Sequence, residues 1–141
     1  AAVKNPELIK TASQTFGSST IVISIETKKN QKNQWEIFTA TGRDPTGIIL
    51  EDWIETIQKF GCGEILITSI DCEGTKKGFD IDLINLLKKM KIKVPMIISG
   101  GCGNLQHIED IKDKLSDDAI ALGSVLHYNL INLRQIKDKF K

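Results

Sequence analysis

Two places in the chain set carboxylates directly against the end of an apolar run. Thr20 to Ile25 leads into Glu26, and Ile65 to Ile70 leads into Asp71, Cys72, Glu73, Gly74 and Thr75. A carboxylate so placed can act as a general acid or base. Alternatively, Asp71 caps its loop and Glu26 is a solvated turn residue; the residue types alone leave both readings open. Two further runs end in small residues: Val94 to Ile98 in Ser99-Gly100-Gly101-Cys102-Gly103, and Ala119 to Leu122 in Gly123-Ser124. Glycine lets backbone N–H groups approach an anion closely, and a helix starting there adds favourable partial charge. One such pair would read as a tight turn. Two in successive loops, with Ser124 beside the second, predict a phosphate site.

These residues need a frame that brings them to one side. The run Ile65 to Ile70 is β-branched, has no helical spacing and reads as a strand buried on both faces, as in parallel sheets. Thr20 to Ile25, Val94 to Ile98 and Ala119 to Leu122 read as its neighbours. Between them lie helical patterns: Asn5-Pro6 to Phe16, ended by Gly17; Ile49 to Phe60, with Ile49, Trp53 and Ile57 on one face and Gly61 and Gly63 at its end; Asp80 as N-cap to Met90, with Ile81, Ile84 and Leu87 as its stripe; Asn104 as cap to Leu115; and an amphipathic tail from Leu130 to Phe140. Lys28 to Asn33 reads as a polar turn, Trp35 to Thr39 as an exposed hairpin strand and Gly42 to Gly47 as a loop. Strands alternating with helices, each connection long enough for a right-handed crossover, predict an α/β fold with the candidate residues at one sheet edge.

The remaining features narrow the function class. With 141 residues and a net charge of +1, the chain is sized for one core, residues 1–141, and lacks the basic footprint of a nucleic-acid binder. No apolar stretch approaches the ~20 residues of a membrane span. Cys62, Cys72 and Cys102 have no metal-ligand spacing and read as space-filling thiols suited to a reducing cytoplasm. His107 reads as an exposed helix residue and His127 as packing, so no metal is expected. Thr68 reads as an ordinary β-former and Glu64 as a solvated strand start. Lys4, Lys10, Lys88, Lys89 and Lys91 read as solvated helix exterior. The opening Ala-Ala-Val-Lys-Asn-Pro has no methionine and leads into a helix, which suggests a piece of something longer.

At Glu64-Ile-Leu-Ile-Thr-Ser-Ile-Asp-x-Glu-Gly-Thr-Lys-x-Gly the chain closely resembles the cyclase subunits of imidazole glycerol phosphate synthase, from histidine biosynthesis. The likeness extends through Phe16-Gly17-Ser18, Thr46-Gly47-Ile48-Ile49-Leu50, Asp52-Trp53, Ile98-Ser99-Gly100-Gly101 and Gly123-Ser124-Val125-Leu126-His127. It implies a (β/α)₈ TIM barrel, of which this chain would be the C-terminal half: about four βα units and a preceding helix. The first four strands would be absent, together with the family's essential aspartate on the first of them and one of two phosphate sites. The family closes an imidazole ring on a bis-phosphorylated ribonucleotide, using ammonia from a glutaminase partner and no cofactor.

Carried over by position, the family's second essential carboxylate falls on Glu26 and the aspartate of its Asp-Gly-Thr element on Glu73. Both are one methylene longer here. Glu64 matches a charged residue gating the ammonia passage. Thr68, Gly74, Ser99, Gly101 and Ser124 match positions lining the ligand or its phosphate, with Gly100 and Gly123 beside them. Ser24 and Lys28-Lys29-Asn30 lean instead toward a paralogous subunit of surface-sugar amidation, while the His127 segment and the final helix lean back. A non-catalytic phosphate-binding half-barrel is the alternative from another class. A half-barrel would also leave edge strands near Thr20–Ile25 and Ala119–Leu122, so self-association or a missing N-terminal half is expected as a partner.

Overall fold

The computed structural model describes residues 1–115 and 118–140. In chain order the regular elements are α1 (Glu7–Phe16), β1 (Val22–Lys29), β2 (Trp35–Thr39), β3 (Asp44–Ile49), α2 (Leu50–Lys59), β4 (Glu64–Ser69), α3 (Ile81–Lys89), β5 (Met96–Ser99), α4 (Leu105–Lys112), β6 (Ala119–Ala121), α5 (Ser124–His127) and α6 (Leu133–Lys137), with single 3₁₀ turns at Ser18–Thr20 and Asp138–Phe140. One sheet runs in the order β3-β2-β1-β4-β5-β6. Pairing is parallel from β1 through β4 and β5 to β6, and antiparallel where β2 and β3 fold back beside β1. The parallel strands alternate with helices, which is the layout of part of a (β/α)₈ barrel.

The pleat separates two faces. Ile25, Ile65, Ile67, Met96 and Ile98 join Trp53, Ile54 and Ile57 of α2, Leu83, Ile84 and Leu87 of α3, and Ile108 and Ile111 of α4 in one core. The opposite face carries Val22, Ser24 and Glu26 of β1, Glu64, Leu66 and Thr68 of β4, Ile97 and Ser99 of β5, and Ala119 and Ala121 of β6, all half-buried or exposed. Strands built for burial on both sides thus have one side covered.

Helix starts are written locally. Asp80 accepts the Leu83 amide and Asn104 the His107 amide, each side chain meeting an otherwise unpaired first-turn N–H. Asp80 also accepts the hydroxyl of Ser69, which is 1% exposed, at 2.7 Å, so one carboxylate ties the end of β4 to the start of α3.

Several expectations are corrected. β1 continues past Ile25 to Lys29, so Glu26 lies within the strand, and the polar turn narrows to the residues between Lys29 and Trp35, closed by Asn30 Oδ1 accepting the Lys32 and Gln34 amides. β2 is a hairpin strand but not an exposed one. Trp35 and Ile37 enter the core, and Phe38 is buried beneath the Lys28 ammonium, 4.8 Å from its ring. The segment around Gly42 to Gly47 is largely β3. Pro45 misleads there, because a strand at the sheet's edge tolerates a residue without an N–H. Ile81 is 39% exposed and Leu83 takes its place on the stripe of α3. The tail helix is shorter than expected: α6 starts at Leu133, where Asn132 and Gln135 form a reciprocal cap, and gives way to the 3₁₀ turn Asp138–Phe140. His107 is half-buried rather than exposed, and its Nδ1 accepts the Gly103 amide at 3.0 Å. His127 is exposed, its ring edge against Tyr128. Lys88 is not merely solvated, since it pairs with Asp118 ahead of β6.

Candidate functional site

Register places three polar side chains in line. Glu26 pairs with Thr68, and Thr68 with Ser99, and all three point to the open face. Neighbouring strands lie about 4.8 Å apart, so Glu26 and Ser99 stand roughly 10 Å apart across the sheet, with Thr68 between them. This row lies at the carboxyl side of the parallel strands, where open α/β sheets and barrels gather their chemistry.

On one flank of the row is a pocket of about 240 Å³, lined by Glu73, Ser99, Gly100, Gly101, Cys102, Ala121, Leu122, Gly123 and Ser124. The loops after β4, β5 and β6 therefore meet as the sequence predicts. The glycines differ in what they do. Gly101 has φ +97°, and a Cβ there would lie 1.9 Å from the Gly78 carbonyl oxygen, whose residue donates its amide to the Gly101 carbonyl at 2.8 Å. The chain's own close approach explains this glycine. A Cβ on Gly123 would meet no atom within 4 Å, so the protein's own structure does not require glycine there.

On the other flank, Glu26 lines a recess with Ser24, Ile37, Phe38, Thr39, Ala40 and Trp53. Its Oε2 accepts the Gly42 amide at 2.9 Å. Gly42 closes a turn of three consecutive left-handed residues, Ala40 at φ +53°, Thr41 at +61° and Gly42 at +74°. Such a conformation is uncommon for alanine and costly for β-branched threonine. The turn also sits against the end of β4, since a Cβ on Gly42 would contact the Ile70 side chain at 3.2 Å. Sequence reasoning misses this holder of Glu26, because it arrives from a segment that reads as a plain loop.

The other candidates divide. Glu73 lines the pocket, whereas Gly74 is exposed at the loop tip and lines neither hollow. Thr75 donates its hydroxyl to the Cys72 carbonyl at 2.7 Å and so closes the turn. Asp71 is exposed. Glu64 opens β4 at the far end of the open face, four residues or about 13 Å from Thr68. Burial pushes the Cys62, Cys72 and Cys102 thiols above their ordinary range, which keeps them protonated and poor nucleophiles. Among the described residues no three His, Cys, Asp or Glu side chains group as metal ligands, and no helix is long and apolar enough to cross a membrane.

Comparison with known proteins places the chain in a family. The sequence pattern of the family described as "Histidine biosynthesis protein" matches residues 1–132. The chain is 40% identical to the imidazole glycerol phosphate synthase subunit HisF of Clostridium botulinum strain Okra, over 100% of this chain and 56% of that protein. The same subunit from strain Kyoto is 40% identical and that from strain Langeland 39%, with equal coverage. The chain thus spans little more than half the length of the curated relatives it matches.

Proposed function

Because the chain belongs to the histidine biosynthesis protein family, we propose that it is the cyclase part of an imidazole glycerol phosphate synthase, corresponding to the C-terminal half of the barrel. The reaction closes an imidazole ring on a bis-phosphorylated aminoimidazole carboxamide ribonucleotide adduct, with ammonia from a glutaminase subunit. It releases imidazole glycerol phosphate and an aminoimidazole carboxamide ribotide. The observation that carries this reading is the line Glu26–Thr68–Ser99 running into the pocket formed by the last three βα loops.

In this reading the pocket takes one phosphate of the substrate, with backbone amides around Gly101 and Gly123 and the hydroxyls of Ser99 and Ser124 as donors. Glu73 stands at its wall. The ring-forming part of the substrate lies over Thr68, within reach of Glu26 as general acid and base. A carboxylate has capacity for several hydrogen bonds, so the Gly42 amide on Oε2 orients the group and leaves it able to exchange a proton. Glu64 marks where ammonia enters, and the face from Glu64 past Leu66 to Thr68 is the wall along which it travels. The relatives carry the synthase name, which favours this reading over the surface-sugar paralogue.

The test is turnover with an ammonium salt. The chain alone should be inactive, since the reaction uses a second carboxylate from the other half of the barrel. Adding the separately made N-terminal half of the Clostridium botulinum subunit should give activity, and Glu26→Gln should abolish it, by about 10²–10⁴-fold for a general acid/base group. If the Gln variant matches the unmodified pair, the non-catalytic phosphate-binding reading replaces this one.

A further inference from the structure

The phosphate pocket has an electrostatic oddity. Among its lining residues the one that carries charge is Glu73, a carboxylate, which repels an anion. A cation lies close by on the same loop. Lys76, three residues after Glu73, holds its ammonium 3.8 Å from the centre of the Tyr128 ring. Tyr128 follows α5 directly, four residues after Ser124, and is 58% exposed. The Lys76–Tyr128 contact therefore bridges the two loops that face each other across the pocket, one carrying Glu73 and the other Gly123 and Ser124.

The position of Lys76 is fixed by backbone as well as by its side chain. Its φ is +60°, a left-handed conformation uncommon for a residue with a side chain. Its carbonyl lies against Gly103, where a Cβ would come within 2.1 Å of the oxygen. Gly103 directly follows Cys102, a lining residue of the pocket. Neither Lys76 nor Tyr128 lines the pocket itself; Lys76 packs against Gly103, next to the lining residue Cys102, and its ammonium is held at Tyr128, four residues past the lining residue Ser124.

We infer that Lys76 is the cation that a phosphate meets in this pocket, with Tyr128 as the aromatic face that holds its ammonium at the rim. This rests on the phosphate reading above and adds a named charge to it. A lysine ammonium is a flexible point charge with three donors, suited to a phosphate oxygen, and it offsets Glu73. The aromatic ring holds the ammonium without neutralising it, whereas a carboxylate partner would cancel the charge the ligand needs.

The experiment is titration of the whole chain with inorganic phosphate, at low and at high sodium chloride, for the unmodified protein, Lys76→Met, Lys76→Arg, Tyr128→Leu and Ser124→Asp. Methionine and arginine are unbranched at Cβ like lysine and face the same φ, so folding is matched and circular dichroism checks it. Lys76→Met should weaken binding about tenfold, the loss of one charge-assisted contact. Lys76→Arg should retain most of the affinity, Tyr128→Leu should weaken it by less than Lys76→Met, and raised salt should narrow the gap between the unmodified protein and Lys76→Met. Equal affinity for Lys76→Met and the unmodified protein, with Ser124→Asp abolishing binding, overturns the role of Lys76 and leaves the phosphate site standing. Equal affinity for Ser124→Asp and the unmodified protein overturns the site itself and this inference with it.

Discussion

The Gly42 amide donates to Oε2 of Glu26 across 2.9 Å, from a residue sixteen positions along the chain. Glutamate carries its carboxylate one methylene further than aspartate would, and here that reach meets the β2–β3 turn. The turn in turn leans on Ile70, directly before Asp71.

Shortening that side chain should therefore cost activity. In the reconstituted pair, Glu26→Asp should turn over more slowly than the unmodified protein, because the carboxylate no longer reaches Gly42 and a misplacement of ~1 Å can cost a hundredfold. Backbone NMR gives an independent check: the Gly42 amide proton should shift upfield in Glu26→Asp. An unchanged Gly42 resonance together with full activity would count against the positioning role.

The two glycines of the pocket should respond in opposite ways to alanine. Gly101→Ala forces a Cβ against the Gly78 carbonyl at φ +97° and should lower unfolding stability by at least about 2 kcal/mol. Gly123→Ala meets open space and should stay within about 0.5 kcal/mol of the unmodified protein, while weakening phosphate binding. Urea denaturation and phosphate titration of both variants check the pair. Equal losses of stability would mean that the loop around Gly78 yields more easily than its contacts imply.

Asp80 should matter more than an ordinary helix cap. Asp80→Ala removes the acceptor for the Leu83 amide, worth about 1 kcal/mol, and strands the buried Ser69 hydroxyl, worth a further ~1–2 kcal/mol. Asp80→Asn keeps one oxygen acceptor and replaces the other with an NH₂ donor, so it should recover part of the loss. A deficit no larger in Asp80→Ala than in a simple cap deletion at Asn104 would show that the Ser69 bond contributes little.

Acid should weaken the chain through two carboxylates. The Lys29 ammonium, hydrogen-bonded to Asp82 at 2.8 Å, holds its carboxyl below the ordinary range, and Lys139 does the same to Glu109. A depressed carboxylate contributes stability above its unfolded value and loses it as pH falls through its folded value. The contribution should thus be present at neutral pH and fade below about pH 4. Asp82 is exposed and the other three groups are only half-buried, so salt should shrink the effect. Urea midpoints for the unmodified protein and Asp82→Asn at pH 7 and pH 3 provide the measurement, with a smaller acid loss expected in the variant.

What is legible in the sequence is whatever the chain encodes locally. The parallel ladder shows in runs such as Ile65–Ile70, and α3 and α4 announce themselves through Asp80 and Asn104, whose side chains act three residues away. The pocket loops are legible for the same reason: each candidate stands directly after its own strand. The β2–β3 hairpin is not, because Pro45 and Gly47 carry the chemistry of a turn and only the edge position makes them acceptable in a strand. Nor is the Gly42–Glu26 contact or the Ser69–Asp80 bond, since each depends on where separate strands and loops come to rest.

The hairpin beside β1 also acts as a ruler. β2 begins pairing at Glu26 and runs to Lys29, so on that side of β1 the residues Val22 to Ile25 lie outside the β2 ladder. A strand pairing with this edge has Val22 to Ile25, about 13 Å, before it reaches the level of the β2 ladder, with Thr39 and the turn after it standing beside Ile25. Such a strand is limited in both length and register by a physical stop rather than by its own sequence. A longer strand would run into the hairpin at the level of Glu26, beside the recess that Ala1, Ala2 and Val3 line together with the carboxylate.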